Sequence, residues 1–388
     1  MIGYVTLGTN DLPRAAAFYD ALFAEIGAKR LWDTDRGIGW GTAMNMPSLG
    51  LLKPFDGKPA TVGNGTMVAG IASGLGGALT LVDASLGSTS LGIGSAGDVQ
   101  VTAASAVLDG RGFGDTQLAS AGDAFGAAGR VDISLSGALS LRDGAYIRSR
   151  GIGLLPSAPL TVTADRIDID GGASGDGGII GVSNNGARSA DVSVTTTGAV
   201  SITSGGQIAT LTLGDGASGN LTVKAGSISL QGAPELTSAL YTQSSGSGRS
   251  GNLLVETGRL SATGPARVAT SSNGGGDAGN LTLKADSLSL DGRGGSATLN
   301  SFTGNDGGAA GTVDVQVKND MTVANGAWVF AGTTGPGNPG ALAVKAGTLV
   351  IDGSFVNASG GRIVLEVESD GAGGFVTDHL IFAPGSTS

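Results

Sequence analysis

A unit of about thirty residues recurs nine times after residue 96, and this repeat constrains the fold more than any other feature. Each copy opens with a small turn and a strand, whose third and fifth positions are always Val, Leu or Ile. The openings are 97–101, 129–133, 158–162, 190–194, 219–223, 251–255, 279–283, 311–315 and 340–344. A period of this length indicates a solenoid, because one such unit cannot bury its apolar face alone.

Each unit also contains a second alternating strand, a corner and a less regular third strand. In the copy that starts at Gly279, Leu288 and Leu290 form the second alternation. Asp-Gly or Asn-Gly follows this strand in many copies and supplies the positive backbone dihedral that a sharp corner needs. These dipeptides are 109–110, 143–144, 170–171, 291–292, 325–326 and 352–353.

Three short strands and three corners per unit predict a mainly β chain that forms a right-handed parallel β-helix, with one coil per repeat. Stacking would place one apolar position of each unit in an interior ladder and the next, polar position on the outside. The interior ladder is Val101, Ile133, Val162, Val194, Val223, Val255, Leu283, Val315 and Val344. The outer ladder is Thr102, Ser134, Thr163, Thr195, Lys224, Glu256, Lys284, Gln316 and Lys345. Its alternating charges at Lys224, Glu256 and Lys284 should attract one another. A β-sandwich would not repeat this closely.

Composition excludes several classes of function. The net charge is −10 without a long basic run, so we expect no nucleic-acid partner. The chain has no apolar stretch of the length that a transmembrane helix needs. It also lacks cysteine, which excludes disulfides and thiolate chemistry.

Two repeated polar features could be structural or could bind a ligand. Asn220, Asn252 and Asn280 fall at one repeat position in consecutive units, and an Asn ladder at a β-helix corner would satisfy amides along the stack. The loop 274–277 faintly resembles calcium-binding nonapeptide repeats but lacks their tandem spacing. We favour the structural interpretation of both.

The first 68 residues have a different pattern, β-α-β-β-β. Strands are predicted at 2–7, 29–33, 37–42 and 48–53, and one helix should start at Asn10-Asp11, with Pro13 in its first turn, and close at Gly27. Its apolar stripe contains Phe18, Leu22 and Ile26, together with Ala15, Tyr19 and Phe23.

This order and the run 4–19 resemble the glyoxalase/bleomycin-resistance (vicinal oxygen chelate) superfamily. The matching residues are Asp11, Leu12, Ala15, Phe18 and Tyr19. The resemblance implies a metal site built from two such modules. Here Tyr4 stands where the family's metal-binding His would be, the second module is missing, and the only His is His379. We therefore expect an inactive half-domain without cofactor or catalytic metal, whose bare sheet edges could mediate self-association.

Residues 78–388 resemble the repeats of filamentous-haemagglutinin-type exoproteins of two-partner secretion and related bacterial surface adhesins. The residues that carry the likeness are 219–225 with 227–230, and 279–285 with 287–290. The resemblance implies an extracellular or cell-surface protein with a host-surface or carbohydrate ligand. Residues 1–20 lack a cationic start and an apolar core of signal type, so we expect the chain as it stands to be cytoplasmic.

We predict three parts: a glyoxalase-like half-domain at 1–68, a junction and first coil at 69–96, and β-helix repeats with C-terminal strands at 97–388. The break near Met67–Gly70 is abrupt, so the two halves could be joined by accident or by a selected fusion. Near the end, 362–368 and 377–382 are predicted as two strands of a terminal pairing.

The favoured function is a non-catalytic adhesin or structural module, and the alternative is a β-helix polysaccharide lyase or hydrolase. Such enzymes use paired carboxylates, for which Asp165, Asp168 and Asp170 beside Arg166 are the best candidates. Because Ile167 and Ile169 should fill the inward positions, these carboxylates should be solvated. Nearby units add Arg142, Asp143 and Arg148 but no His and no aromatic platform for a sugar. We therefore predict no catalytic, cofactor-binding or metal-binding residue, and a metal-dependent activity of the first module is the least favoured alternative.

Overall fold

The structure of the chain is a computed structural model. It describes residues 4–43, 48–53, 59–60, 67–69, 71–74, 76–90, 95–111, 116–122, 126–304, 307–353, 355–358, 367–369, 375–377 and 379–382. The chain is mainly β and consists of a small mixed sheet followed by a parallel β-solenoid of about nine turns. The predicted fold class is therefore confirmed.

The N-terminal sheet carries one helix on one side. Its elements are β1 (Tyr4–Gly8), α1 (Leu12–Ala24), β2 (Lys29–Thr34), β3 (Gly37–Gly41), β4 (Ser48–Leu52) and β5 (Met67–Ala69). The strand order is β2-β3-β4-β1-β5, and β1 and β4 run parallel while the other neighbours run antiparallel. The predicted β-α-β-β-β order is confirmed over the described residues. Residues 2 and 3 of the first predicted strand lie outside them.

The helix begins and ends close to the predicted positions. The Asp11 carboxylate accepts a hydrogen bond from the Arg14 backbone N–H at 3.1 Å, as an N-cap residue should. The helix ends at Ala24, and Gly27 follows in the left-handed region with φ of +70°. This positive φ favours glycine at the close of the last turn.

Only part of the predicted apolar stripe of α1 packs on the sheet. Leu12 and Ala16 are buried, and Tyr19 and Phe23 lie partly buried against the ring of Trp40. Phe18, Leu22 and Ile26 instead remain 61%, 48% and 68% exposed. The prediction grouped all the apolar positions together, but a helix on one side of a sheet covers only part of its circumference.

The solenoid strands follow in chain order and complete the numbering. They are β6 (Ile71–Gly74), β7 (Ala78–Val82), β8 (Ser85–Ser90), β9 (Val99–Ala103), β10 (Ser105–Asp109), β11 (Gln117–Gly122), β12 (Val131–Leu135), β13 (Ala138–Arg142), β14 (Tyr146–Gly151), β15 (Leu160–Ala164), β16 (Arg166–Asp170), β17 (Gly178–Ser183), β18 (Val192–Thr196), β19 (Ala199–Thr203), β20 (Gln207–Thr212), β21 (Leu221–Gln231), β22 (Ser238–Ser244), β23 (Leu253–Thr263), β24 (Ala266–Ser272), β25 (Leu281–Asp291), β26 (Ala297–Thr303), β27 (Val313–Ala324), β28 (Trp328–Thr333), β29 (Leu342–Asp352), β30 (Phe355–Ala358), β31 (Val367–Ser369), β32 (Phe375–Thr377) and β33 (His379–Phe382). A single turn of 3₁₀ helix lies at Gly172–Ser174.

The strands of successive coils pair in parallel, one coil on the next. The first and second strands of each coil form a large first sheet, and the third strands form a separate sheet of β30, β28, β26, β24, β22, β20, β17, β14, β11 and β8, here called the third-strand sheet. In the first sheet Val194 pairs with Val223 and Val223 with Val255. All nine residues of the predicted interior ladder are buried, so the ladder is confirmed.

The outer ladder also has the predicted charge order. The Nζ of Lys224 lies 2.8 Å from a carboxylate oxygen of Glu256, and the Nζ of Lys284 lies 3.7 Å from the other oxygen. The hydrogen bond from Lys224, with a weaker contribution from Lys284, lowers the pKa of Glu256. Because the two lysine side chains are exposed and Glu256 is only half-buried, the ion pairs contribute little to stability.

The predicted separation of first and second strands is wrong in the later coils. From Leu221 onward the two merge into one long strand, as in Leu221–Gln231. In earlier coils one to three residues interrupt them, for example Ser136 and Gly137. A linker this short bends the chain without turning it, so both segments stay in one sheet.

The Asp-Gly and Asn-Gly corners are confirmed at some positions and displaced at others. Positive φ values occur at Asp143 and Gly144 and again at Asn325 and Gly326. In the first such corner, 109–110, the positive φ belongs to the next residue, Arg111. In the corners at 170–171 and 291–292 the positive φ likewise belongs to a later glycine, Gly172 and Gly294 respectively. The dipeptide therefore marks the corner without fixing which residue takes the left-handed conformation.

A buried row of hydroxyl groups runs along the third-strand sheet and was not predicted. Its register-matched members are Ser120, Ser149, Thr210, Thr242, Thr270 and Ser301. In one coil the Thr242 hydroxyl donates to the backbone carbonyl of Gly251 at 2.6 Å, and in the next Thr270 donates to Gly279. These bonds tie each third strand to the opening turn that follows it.

The terminal pairing differs from the prediction. Val367–Ser369 pairs antiparallel with Phe375–Thr377, whereas His379–Phe382 adds in parallel to β29. Of the predicted pairing of 362–368 with 377–382, the described part therefore keeps only the contact of Val367 with Thr377, because the last strand, His379–Phe382, continues the stack. Residues 362–366 lie outside the described residues.

Candidate binding face

Each of the candidate catalytic carboxylates forms a hydrogen bond with a nearby group. Arg166 Nε donates to Asp168 at 2.9 Å, on the outer face of β16. Asp165 accepts from the Thr197 hydroxyl at 3.2 Å, and Asp170 accepts from the Gly172 backbone N–H at 3.1 Å in the corner. Each carboxylate thus has a local partner, as expected for a solvated face.

The neighbouring charged candidates are similarly engaged in local contacts. Arg142 pairs in register with Asp170, and its Nε donates to the Ser140 hydroxyl at 3.0 Å. Asp143 forms the corner with positive φ. Arg148 lies over the ring of Tyr146, 5.5 Å from its centroid, on the outer face of a different sheet. The structure therefore does not bring the three residues to one site.

The Asn ladder links consecutive coils through the backbone. The Asn220 side-chain oxygen accepts from the Asn252 backbone N–H at 3.0 Å, and Asn252 accepts from Asn280 at 2.9 Å. The same pattern continues at both ends of the ladder. The Asp191 carboxylate accepts from the Asn220 backbone N–H, and the Asn280 side-chain oxygen accepts from the Thr312 backbone N–H. The structural interpretation of the ladder is confirmed, with the detail that each amide bonds to a backbone N–H. A shallow cavity of about 270 Å³ lies beside these residues.

The glycine-rich loop at 274–277 also stacks on its neighbours. The Asp277 carboxylate accepts from the Ala309 backbone N–H at 2.8 Å in the next coil. A methyl group on Gly276 would collide with the carbonyl oxygen of Gly248 in the preceding coil. Within the described ranges, no three Asp, Glu or His side chains are grouped to hold a metal ion. The loop thus has a structural reason for its glycines.

Several aromatic and charged side chains lie close together on the outer side of the third-strand sheet. Leu240 and Val268 point into the core, so the alternate residues Tyr241 and Arg267 point outward. The Arg267 guanidinium lies 4.6 Å from the centroid of the Tyr241 ring, and the Tyr241 hydroxyl donates to Gln207 at 2.7 Å.

Small residues beneath these long side chains let them lie flat. Ala209 and Ala269 flank Tyr241 in register on the neighbouring strands, and both are buried although they face outward. The ring and the guanidinium must therefore cover them. Such a cation–π arrangement fixes the orientation of both groups.

A polar network extends this surface across several coils. Gln207 donates to the Asp176 carboxylate at 3.0 Å, and Asp176 is hydrogen-bonded to Tyr146. Burial, with the Asp176 carboxylate, raises the pKa of Tyr146, and burial also raises the pKa of Tyr241. Burial lowers the pKa of Arg267.

Aromatic rings continue the same face toward the C-terminal coils. Phe302 and Phe330 lie edge to face with centroids 6.1 Å apart, and Trp328 lies 6.2 Å from Phe330. Trp328 is 46% exposed. We call the outward groups of Tyr241, Arg267, Phe302, Trp328 and Phe330 the aromatic face.

Sequence reasoning missed the aromatic face. These residues are up to ninety positions apart, and the third strands are the least regular part of the repeat. Tyr146 does lie beside Arg148, but the guanidinium covers its ring, and the pair lies on the third-strand sheet and not on the face of Asp165 and Asp168. The usable signal was adjacency to the buried apolar residue of each third strand, which Tyr241 and Phe330 directly follow and Arg267 directly precedes.

Comparisons with family models, with curated proteins and with solved structures find no match to this chain. Over the described part of the chain, no helix is long and apolar enough to cross a membrane. The fold class is thus a parallel β-solenoid that follows a small mixed sheet.

Proposed function

We propose that the solenoid is a non-catalytic adhesion or structural module that binds a surface glycan through the aromatic face. The observation that carries this proposal is that Tyr241, Arg267, Phe302 and Trp328 lie on the same outer side of four consecutive strands of one sheet. Stacked coils present such groups at a regular spacing of roughly 4.8 Å per strand. A repetitive face of this kind suits an extended, repetitive ligand.

The chemistry of the aromatic face supports a carbohydrate as the ligand. Aromatic rings offer a rigid apolar surface with a small loss of side-chain entropy, onto which the apolar side of a sugar ring can stack. Arg267 and Gln243 lie beside the rings, 3.4 Å apart, and supply hydrogen-bond donors and acceptors for hydroxyl or carboxylate groups. The resemblance to surface adhesins is consistent with export and an extracellular role.

A binding assay with a polysaccharide panel tests this proposal. The full chain is titrated with neutral and acidic polysaccharides, and a Trp328→Ala/Phe330→Ala variant should bind at least about tenfold more weakly than the unmodified chain. Leu213→Ala is the matched control, since Leu213 is an apolar residue of the solenoid that is 56% exposed outside the aromatic face. Equal binding by both variants would contradict the assigned face.

Product analysis distinguishes the enzymatic alternative. The same mixtures, with and without calcium, are examined for new reducing ends and unsaturated sugars. We expect none above a blank, because the carboxylates of Asp165, Asp168 and Asp170 have separate local partners. Product release at enzyme-like rates would replace the adhesion proposal with a lyase or hydrolase.

A further inference from the structure

The N-terminal module displays an apolar surface on the outside of α1 and of the turn that follows it. Phe18, Leu22 and Ile26 recur every four residues and are 61%, 48% and 68% exposed. We call these three residues the outer stripe. Contiguous apolar side chains on a surface are typical of an interaction site.

Opposite charges flank the outer stripe at its two ends. Arg14 lies one turn before Phe18, and Glu25 lies three residues after Leu22. Arg14 and Glu25 therefore lie on the same side as the outer stripe. Both side chains belong to exposed residues. A positive group near the start and a negative group near the end make the surface self-complementary for an antiparallel partner.

We infer that two copies of this chain associate through their outer stripes, with the two α1 helices packed antiparallel about a two-fold axis. In this arrangement Arg14 faces the partner's Glu25, and the same pair recurs on the other side of the axis. Antiparallel helices also place opposite dipole ends beside each other. The outer stripe thereby loses its contact with water.

The small core of the module gives a second reason for such a partner. Its buried members among the described residues are Leu12, Ala16, Ile38, Trp40 and Leu51. A unit of this size buries little apolar surface, and association is a common way to bury more.

The sheet edges are less suited to association than the helix. At the β2 edge Arg30 forms ion pairs with Asp20 and Asp33, and charged groups oppose the addition of another strand. At the opposite side β5 already pairs with β1. The outer stripe therefore differs from the edge contact that the sequence predicts, and it is the better-supported surface.

Three large side chains per copy make a small interface, so we expect a weak, concentration-dependent dimer. Sedimentation velocity of the full chain, from low to several hundred micromolar, measures the monomer–dimer equilibrium. Leu22→Glu should raise the dissociation constant by about tenfold or more. The control Ala17→Glu, at an exposed position away from the outer stripe, should leave it unchanged.

A charge exchange tests the antiparallel orientation. Arg14→Glu and Glu25→Arg should each weaken the dimer by about threefold or more, and the double variant should restore it. Far-UV circular dichroism, with the fluorescence of Trp40 packed against Tyr19 and Phe23, shows that each variant keeps the module folded.

Several results would overturn the inference. These are a chain that stays monomeric at every concentration, a dimer that Leu22→Glu does not weaken, and a double exchange that fails to restore association. A monomeric chain that binds lipid vesicles through Leu22 would instead assign the outer stripe to a membrane. None of these results bears on the affinity of a single aromatic face for a glycan, which depends on the solenoid.

Discussion

At the scale of single residues, inside and outside alternate along each strand with very different consequences. Val223 is fully buried in the interior ladder, whereas the next residue, Lys224, has a side chain that is 51% exposed. A charge introduced at the first position must enter a packed core, but at the second it stays in water.

Val223→Asp should therefore destabilise the chain by several kcal/mol, and Lys224→Asp by about 1 kcal/mol or less, because only the first buries a charge. The small cost of Lys224→Asp comes from the lost ion pair with Glu256. Urea denaturation monitored by circular dichroism measures both. Equal effects would mean that the faces of the strand are assigned the wrong way round.

The buried hydroxyl row permits a second comparison between single residues. Thr242→Val conserves shape but removes the donor to the Gly251 carbonyl, so it should cost about 1–3 kcal/mol in stability. Thr222→Val is the control, since Thr222 lies half-buried on the outer side of β21. If both substitutions proved equally mild, the hydroxyl row would contribute nothing to the stack.

At the scale of elements, the corner after β25 depends on one carboxylate. Asp291 accepts hydrogen bonds from Arg293 and from the Asn325 side chain of the next coil. The Arg293 side chain, followed by backbone and Asn325 hydrogen bonds, lowers the pKa of Asp291 to about 2. A carboxyl whose folded-state pKa is depressed stabilises the fold above its unfolded pKa and loses that effect as pH falls through the folded value.

Asp291→Asn should therefore be less stable than the unmodified chain at pH 7, and this difference should shrink between about pH 4 and pH 2. Urea denaturation of both proteins at several pH values measures the difference in their free energies of unfolding. The other carboxylates titrate in both proteins, so their contribution cancels in this difference. A difference that stayed constant down to pH 2 would show that the Asp291 charge does not stabilise the corner.

The elements also show where sequence reasoning succeeds. Strict alternation with a thirty-residue period fixes the interior ladder and its register, because only one face of each strand can be buried. The Asn ladder is predictable from the period alone, since the same position of successive repeats becomes adjacent in the stack. The Asp11 cap of α1 was likewise readable from local sequence.

The remaining features depend on contacts that the local pattern does not contain. The side of α1 that is covered depends on where the sheet lies, so Phe18 was grouped with residues such as Phe23 that pack on Trp40. The aromatic face combines Tyr241 with residues from later coils. The third strands have no strong apolar period, so their outward residues could not be aligned with confidence before the stack was known.

At the scale of the whole molecule, the solenoid is a one-dimensional stack. A coil in the middle contacts a neighbour on each side, while a terminal coil contacts only one. Local opening should therefore cost the most free energy in the centre and the least at the ends. Tyr241 and Arg267 belong to this central part, where a rigid scaffold holds them in place.

A dimer through α1 would present two such faces on one particle. Two linked sites bind a surface that carries many copies of a ligand more tightly than one site does, without any new contact. The outer-stripe variants and the aromatic-face variants should therefore affect binding to a dense surface in different ways. Leu22→Glu should lower only the avidity, and Trp328→Ala/Phe330→Ala should lower the affinity of each site.

Hydrogen exchange should report the central rigidity directly. We expect the slowest backbone amides in residues 192–299, because each of these coils pairs with strands on both sides. Faster exchange should appear in residues 71–90, whose coil pairs with the next coil through β9, β10 and β11. Val223→Asp should speed exchange most in its own coil and the two adjacent coils, because coupling in a stack decays with each interface. Uniform protection from 71 to 352, with a uniform response to Val223→Asp, would show that the solenoid opens as a single cooperative unit. In that case the rigidity of the aromatic face would depend on all coils of the stack. Removing a terminal coil would then weaken ligand binding as much as disrupting a central coil.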